Sequence, residues 1–413
     1  MLLIIAFNLF LFSNSLIKLH FKKKYSPNDI NNKFDYYQYL KNNELITEIL
    51  IGTPFQTIPV TLRYEYESFF LTNPSSQGLF NSNKSQSFIS NFSLIHFPSE
   101  IEKGYIANDT IKINFHNGNK NIEKISFLYI TEPNASISNY GNIGLHYKDY
   151  SQYKNLNFII QFKKRELIEN YGYTYRFLSE TEGEVLIGEY LHEYNKSYYD
   201  GIDFYSMKIN PMTFGHSFKN FSFGNYSTDG KDSIFFNINN TFGGIIGNRL
   251  FLSLVRNYFV EKKCKFVNNY TYEYFYCDID LDVTDFPDLK FYHKDTNFTF
   301  ILNYQDLFHN INGKKYFRII FEPENFGNWY FGQPFLSKYP ITIDQDKKLI
   351  GFYKKLKERK SLFRNSVFYI ILLLIIIGVL LYIIYKYVFK KKRKIRANEI
   401  EEEIDYTPIN SMK

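Results

Sequence analysis

The chain has 413 residues, 45% of them hydrophobic, which is enough to bury one large core or two moderate ones, so a folded protein rather than a disordered chain is expected. Aromatic residues reach 20%, with 37 Tyr and 43 Phe, and the formal net charge is +7. The aromatics accompany abundant Asn, Lys and Ile, a compositional bias that β-rich folds absorb. The basic residues gather near the C-terminus, in "YKKLKERKSLFR" and "KKKRKIR", rather than along one face. Nucleic-acid binding is therefore not expected.

In chain order, residues 1–15, "MLLIIAFNLFLFSNS", form an apolar run too short to span a bilayer that ends in small polar residues, as a secretory signal peptide cleaved near Ser15 does. A basic stretch, "IKLHFKKK", follows in 16–44. Short alternating runs then recur: "LITEILIG", "DTIKINF", "ISFLYI", "GEVLIGEY", "DSIFFNI", "FTFILNY", "YFRIIFE" and "KLIGFY". Clusters of Asn, Gly, Pro and Asp separate them, so they predict strands joined by turns. Two segments, "NFIIQFKKRELIENY" and "NRLFLSLVRNYFVEKK", carry apolar residues at i, i+3 and i+4 spacing and predict helices. The expectation is a mostly-β ectodomain in two lobes.

The only two cysteines, Cys264 and Cys277, form an even pair and predict one disulfide in an oxidising compartment. Acceptor triplets for N-glycosylation at Asn83, Asn91, Asn134, Asn195, Asn220, Asn225, Asn269 and Asn297 agree with that side of the membrane. Residues 357–366 are a basic juxtamembrane stretch, and residues 367–389, "VFYIILLLIIIGVLLYIIYKYVF", are apolar for long enough to cross the hydrocarbon core as a helix. Phe368, Tyr369, Tyr382 and Tyr385 near its ends suit the bilayer interface. Lys and Arg flank the span almost equally, so the signal peptide sets the orientation. Residues 16–366 are expected to be lumenal or extracellular, and 390–413 cytosolic, in a single-pass type I protein. In that tail Tyr406, Thr407, Pro408 and Ile409 resemble the Tyr-x-x-bulky-apolar signal read by clathrin adaptors. Tyr406 and Ile409 would fill the adaptor's pockets and route the protein through the secretory pathway to endosomes, lysosomes or the cell surface.

The order of these motifs resembles the pepsin-like aspartic protease family, whose fold is all-β and bilobal with the active site between the lobes. "EILIGTPFQTIPVTL" is similar to the family's first entry strand. "GYIANDTIKI" resembles the segment after the flap, "GNIGL" the strand that returns beneath the first catalytic loop, and "GEVLIGEY" the closing strand of the first lobe. "DSIFFNINNTF" stands where the second catalytic loop belongs, and "NWYFGQPFLSKYPITIDQDKKLIGFY" looks like the family's terminal hairpin. The resemblance implies lobes at 45–208 and 209–356, followed by the single transmembrane helix. Residues 16–44 resemble a short pro-segment, or serve as a linker.

The family's reaction needs two carboxylates sharing one proton, one acting as base toward water and the other as acid toward the scissile carbonyl. Carried over by spacing, the first catalytic Asp falls on Arg63, with Tyr64, Glu65, Tyr66 and Glu67 following it. The second falls on Asn237, followed by Ile238 and Asn239, and only Thr241 keeps its type. The flap maps onto Phe97, Pro98, Ser99 and Glu100. An amide has no titrating proton and a guanidinium only donates, so neither replacement performs the step. Glu65 or Glu67 could serve as the acid only if the spacing from "IGTP" were broken. The eight histidines form no H-E-x-x-H or i, i+4 pair and no G-x-S-x-G elbow occurs, so no metal site, cofactor or other nucleophile is expected. The resulting expectation is a membrane-anchored pseudoprotease. Its interlobe cleft, lined by Arg63, Glu65, Phe97, Asn237, Asn239 and Thr241, would bind a peptide or protein. The alternatives are an aspartic endopeptidase acting in the secretory or endolysosomal pathway and a structural surface glycoprotein.

Overall fold

The computed structural model describes residues 16–25, 35–41, 43–63, 68–72, 80–96, 103–115, 118–132, 141–146, 154–194, 204–208, 216–228, 234–238, 242–269, 271–294, 296–325, 327–353 and 373–391. The first half of the chain supplies β1 (Ile17–Tyr25), β2 (Asn43–Ile51), β3 (Gln56–Arg63), β4 (Phe69–Thr72), β5 (Ile89–His96), β6 (Lys103–Phe115), β7 (Gly118–Glu132), β8 (Gly141–Gly144), β9 (Gly172–Phe177) and β10 (Glu182–Ile187). The second half opens with β11 (Phe204–Lys208), β12 (His216–Phe218), β13 (Asn220–Phe223), β14 (Tyr226–Ser227), β15 (Ile234–Ile238), β16 (Ile245–Gly247), β17 (Lys265–Asn268) and β18 (Glu273–Asp278). It closes with β19 (Leu289–His293), β20 (Phe298–Leu302), β21 (Phe308–Ile311), β22 (Lys314–Phe317), β23 (Ile319–Phe321), β24 (Trp329–Phe331), β25 (Ile341–Asp344) and β26 (Leu349–Tyr353). The helices are short: α1 (Tyr36–Lys41), α2 (Phe158–Lys164), α3 (Leu191–Tyr194), α4 (Arg249–Glu261), α5 (Tyr304–Leu307) and α6 (Gln333–Lys338).

Strand alternation decides which faces are buried. In β2, Leu45, Thr47, Ile49 and Ile51 face the core while Glu44 and Glu48 face away, and β3 returns antiparallel with Ile46 opposite Thr61. β1 lies between β10 and β2, burying Ile17, Leu19 and Phe21 and turning Lys18, His20 and Lys22 outward. The Phe21 ring occupies the space left by Gly183, where a Cβ would come within 2.2 Å of it. Residues 17–25 are thus a full member of the largest sheet.

Among the described residues that sheet has thirteen strands in the order β11-β26-β25-β9-β10-β1-β2-β3-β8-β4-β7-β6-β5. A nine-stranded sheet, β12-β15-β24-β16-β23-β18-β22-β21 with β17 on β18, and a four-stranded one, β14-β13-β19-β20, belong to the second half. The chain's last strands therefore close onto its first half, with Thr342 opposite Thr174 and their buried hydroxyls 2.5 Å apart. Around Trp329, which is fully buried, Phe221, Phe251, Phe291 and Phe331 pack edge-on, tilted or stacked within about 6 Å, as aromatic quadrupoles favour. Residues Met1–Lys355 make one compact unit.

Both predicted helices form, one of them shortened. Asn248 caps α4 by accepting from the Phe251 amide at 2.9 Å, and α4 buries Phe251, Leu252, Val255 and Phe259 on one side. Asn157 caps α2 in the same way, at 3.1 Å from the Ile160 amide. That helix ends at Lys164 instead of running on to Tyr171, because Glu166 adopts a left-handed conformation (φ 56°) and the Leu167 amide turns back to the Phe162 carbonyl. Cys264, just past α4, is bonded to Cys277 on β18, and neither cysteine is free. In the second compact unit, the helix Leu373–Lys391 is 19 residues long and apolar enough to cross a bilayer. It lies within the predicted span and its basic flank, and residues 367–372 fall outside the described part.

Candidate functional site

The same strand motif occurs in each half. In the first, β3 runs parallel to β8, β8 is antiparallel to β4, and β4 is parallel to β7. In the second, β15 runs parallel to β24, β24 is antiparallel to β16, and β16 is parallel to β23. The register makes the repeat quantitative. Leu62 and Phe69 both face Ile143, and Ile238 and Ile245 both face Phe331. The loops enclosed are 63–68 and 239–244, six residues each, so position 239 is the equivalent of Arg63. The residue there is Asn239, two places beyond the Asn237 that spacing within the sequence singles out. Asn237 lies within β15, opposite Tyr330 of β24.

Arg63 is the last residue of β3, and its carbonyl accepts from the Leu145 amide at 3.0 Å. Its Nη2 lies 3.3 Å from Oε1 of Glu44, the cross-strand neighbour on β2, and both side chains are about a quarter exposed (26%). The guanidinium thus has a carboxylate partner within its own sheet. Beneath it, the buried Thr61 hydroxyl reaches the Gly141 carbonyl and Asn142 Oδ1, both at 3.2 Å, while Asn142 Nδ2 donates to the Ser68 carbonyl at 3.3 Å. These bonds tie the two ends of the first loop to the strand that passes under it.

The second loop is tied differently. The Gly243 amide donates to the Leu40 carbonyl of α1 at 2.8 Å, and the Gln333 amide donates to the Phe242 carbonyl at 2.9 Å. Gly332 has to lack a side chain, since a Cβ there would come within 2.2 Å of the Phe242 carbonyl oxygen and 2.3 Å of Gly244's. Tyr36 of α1 is fully buried among Tyr39, Tyr274, Tyr316 and His309. Its hydroxyl donates to the Phe317 carbonyl at 3.2 Å and shares a hydrogen bond with His309 Nε2 at 2.9 Å. Burial pushes the Tyr36 phenol well above its usual range. Asp35 accepts from the Tyr37 amide and the Tyr272 hydroxyl, which holds the start of α1 against β18. Lys23 of β1 donates to Gln333, and Arg318 Nη2 donates to the Gly243 carbonyl at 3.1 Å. Burial, followed by the Arg318 and Lys23 charges, pushes His309 down to about 2, so its imidazole is neutral at ordinary pH.

Of the residues predicted to line the site, Arg63 is placed with its partner and Asn237 is placed by its backbone. Glu65, Phe97, Asn239 and Thr241 lie outside the described residues, as do Tyr406 and Ile409. No group of three or more His, Cys, Asp or Glu side chains is arranged to hold a metal among the described residues. Sequence reasoning missed Glu44, although its signal was present: Glu44 and Arg63 are equidistant from the "GTPF" turn at 52–55. It also missed the Lys23, His309 and Arg318 group, which joins β1 to the distant hairpin of β21 and β22.

Two copies of one interlocked strand motif, an all-β bilobal framework and a terminal hairpin returning to the first half define the pepsin-like fold. The family model for eukaryotic aspartyl proteases matches residues 44–355. The chain belongs to that family. A search of curated proteins finds no match to it.

Proposed function

We propose that this protein is a membrane-anchored member of the family that has lost acid-protease chemistry and serves in binding a peptide or protein in its interlobe cleft. One observation carries the reading: the position beginning the loop in each repeat lacks a carboxylate. It is Arg63 in the first repeat. In the second it is Asn239 by strand register and Asn237 by local spacing, an amide either way. A water cannot be activated by an arginine and an asparagine, because the first cannot accept a proton and the second does not titrate. Removal of general base and general acid together forfeits about 10² to 10⁴ in rate for each.

In this reading the ectodomain is lumenal or extracellular and glycosylated, and Leu373–Lys391 anchors it as a type I protein. The tail, with Tyr406 and Ile409, faces cytosolic adaptors. Family membership favours a second reading, an aspartic endopeptidase, and one assay separates the two. Full-length protein purified in detergent is incubated with an unfolded protein substrate between pH 3 and 6, with and without pepstatin. No pepstatin-sensitive cleavage is expected.

A further inference from the structure

The thirteen-stranded sheet opens where β1, β2 and β6 meet. β1 pairs with β2 from Tyr25 opposite Asn43 to Lys22 opposite Ile46, and continuing that register would bring Ile17 opposite Ile51. Instead Ile17 faces Phe115 and Ile51 faces Ile111, so residues 112–114 of β6 separate the two strands at that end. Between these anchor points, residues 18–21 of β1 pair with β10 alone and residues 47–49 of β2 with β3 alone, among the described residues. A strand carries donors and acceptors along both edges, so each of these runs turns unpaired N–H and C=O groups toward the opening.

Over the opening lies a concave trough of about 750 Å³, a volume typical of ligand sites. Leu19, Phe21, Ile49 and Ile113 point into the core beneath it and are almost fully buried, so the trough is floored by main chain. The alternate residues face outward. On β1 all three are basic, Lys18, His20 and Lys22; β6 adds Lys112, and β2 adds Glu48 between Ile46 and Leu50. Glu184 and Glu182 of β10 engage Lys18 and Lys22 from the side away from β2, and Lys112 lies over the Phe55 ring.

The ligand that matches free strand edges is another extended main chain. Side chains on its outer face would stand across from Lys18, His20 and Lys22, with Lys112 at the end of the opening, where opposite charge is favourable and like charge is not. We propose that the trough binds a short, extended, acidic segment of a partner protein, added as a strand along the free edge of β1. None of its residues belongs to either loop of the repeated motif, so the proposal is independent of the chemistry in the interlobe cleft.

The test is fluorescence anisotropy with full-length protein in detergent and a fluorescein-labelled hexapeptide of alternating Glu and Thr. Expected is a saturable rise, absent for the hexapeptide of alternating Lys and Thr. Only one set of alternate amides faces the β1 edge, so N-methylation of that set should weaken binding at least tenfold and N-methylation of the other set should not. Lys22→Glu and Lys112→Glu, on two sides of the trough and checked for folding by Trp329 emission, should each weaken it at least fivefold. Absence of saturable binding would overturn the proposal. So would equal affinity of both N-methylated peptides, since charge alone would then hold the ligand, or undiminished affinity in both variants, since the peptide would then bind elsewhere. A heparin oligosaccharide that binds where the peptide does not would make the trough a polyanion site and overturn it as well.

Discussion

The two loops of the repeated motif have the same length and the same strand frame, yet their surroundings differ. Around the first, charge is handled at the surface: Arg63 and Glu44 form a cross-strand pair, each a quarter exposed. Around the second, charge is handled in the interior, where Lys23, Arg318 and a neutral His309 lie beneath α1 and its buried tyrosines. The two repeats share one strand frame although the side chains around them differ, because strand register depends on ladder hydrogen bonds and core alternation rather than on the loop residues. The first side can lose its charged group cheaply, and the second cannot.

That difference can be broken most forcefully at Tyr36. Tyr36→Ala empties a fully buried site, removes two hydrogen bonds and leaves His309 without its partner, and should cost about 4 kcal/mol. Thermal unfolding followed through Trp329 measures it. A loss under about 1 kcal/mol would mean that α1 is not an integral part of the second half. Next comes the disulfide, the covalent tie between the segment after α4 and β18. Closing its short loop is worth roughly 3 kcal/mol in the chain-entropy model, so Cys264→Ser with Cys277→Ser should lower stability by about that amount. In the wild type, thiol labelling of unreduced, unfolded protein should find no free cysteine.

The pH response should be smaller and should separate the two sides. His309 sits near 2 in the folded protein against an ordinary 6.5, so between those values the unfolded chain binds the extra proton and stability falls as pH falls. From pH 7 to pH 5 this amounts to about 2 kcal/mol at 1.36 kcal/mol per unit. Lys23, lowered to about 7, acts in a different window: its contribution rises between 7 and its ordinary 10.5 and is flat at lower pH. His309→Gln should therefore reduce the acid loss while leaving the alkaline rise in place, as chemical denaturation at pH 5, 7 and 9 would reveal. The smallest effect is expected at Arg63. A partly exposed pair is worth at most about 1 kcal/mol, so Arg63→Ala should hardly change stability. A large loss there would show that the first loop is as deeply committed to charge as the second.

Much of this was legible in the sequence because it is local. Alternation gave the strands, apolar residues at i, i+3 and i+4 spacing marked the two helices, and the even cysteine pair announced the bond. The end of α2 was not legible, since "KKRELI" continues an amphipathic pattern and only the left-handed Glu166 stops it. The second loop's register was not legible either. "FFNINNTF" reads equally well with the strand ending at Asn237 or at Ile238, and the decision rests on pairing with Trp329–Phe331, some 90 residues further on. The buried cation group was out of reach for the same reason: Lys23 on β1 meets His309 of β21 and Arg318, just past β22, only through contacts distant in sequence.

The proposed loss of acid-protease chemistry is tested most directly by a cleavage assay of the pure protein. Detergent-purified full-length protein, shown to be folded by the burial of Trp329, is incubated with an unfolded substrate across pH 3 to 6, and the products are counted by mass spectrometry. Fragment yields indistinguishable from substrate alone, with or without pepstatin, are expected. Turnover that tracks the purified chain and is stopped by pepstatin would contradict it.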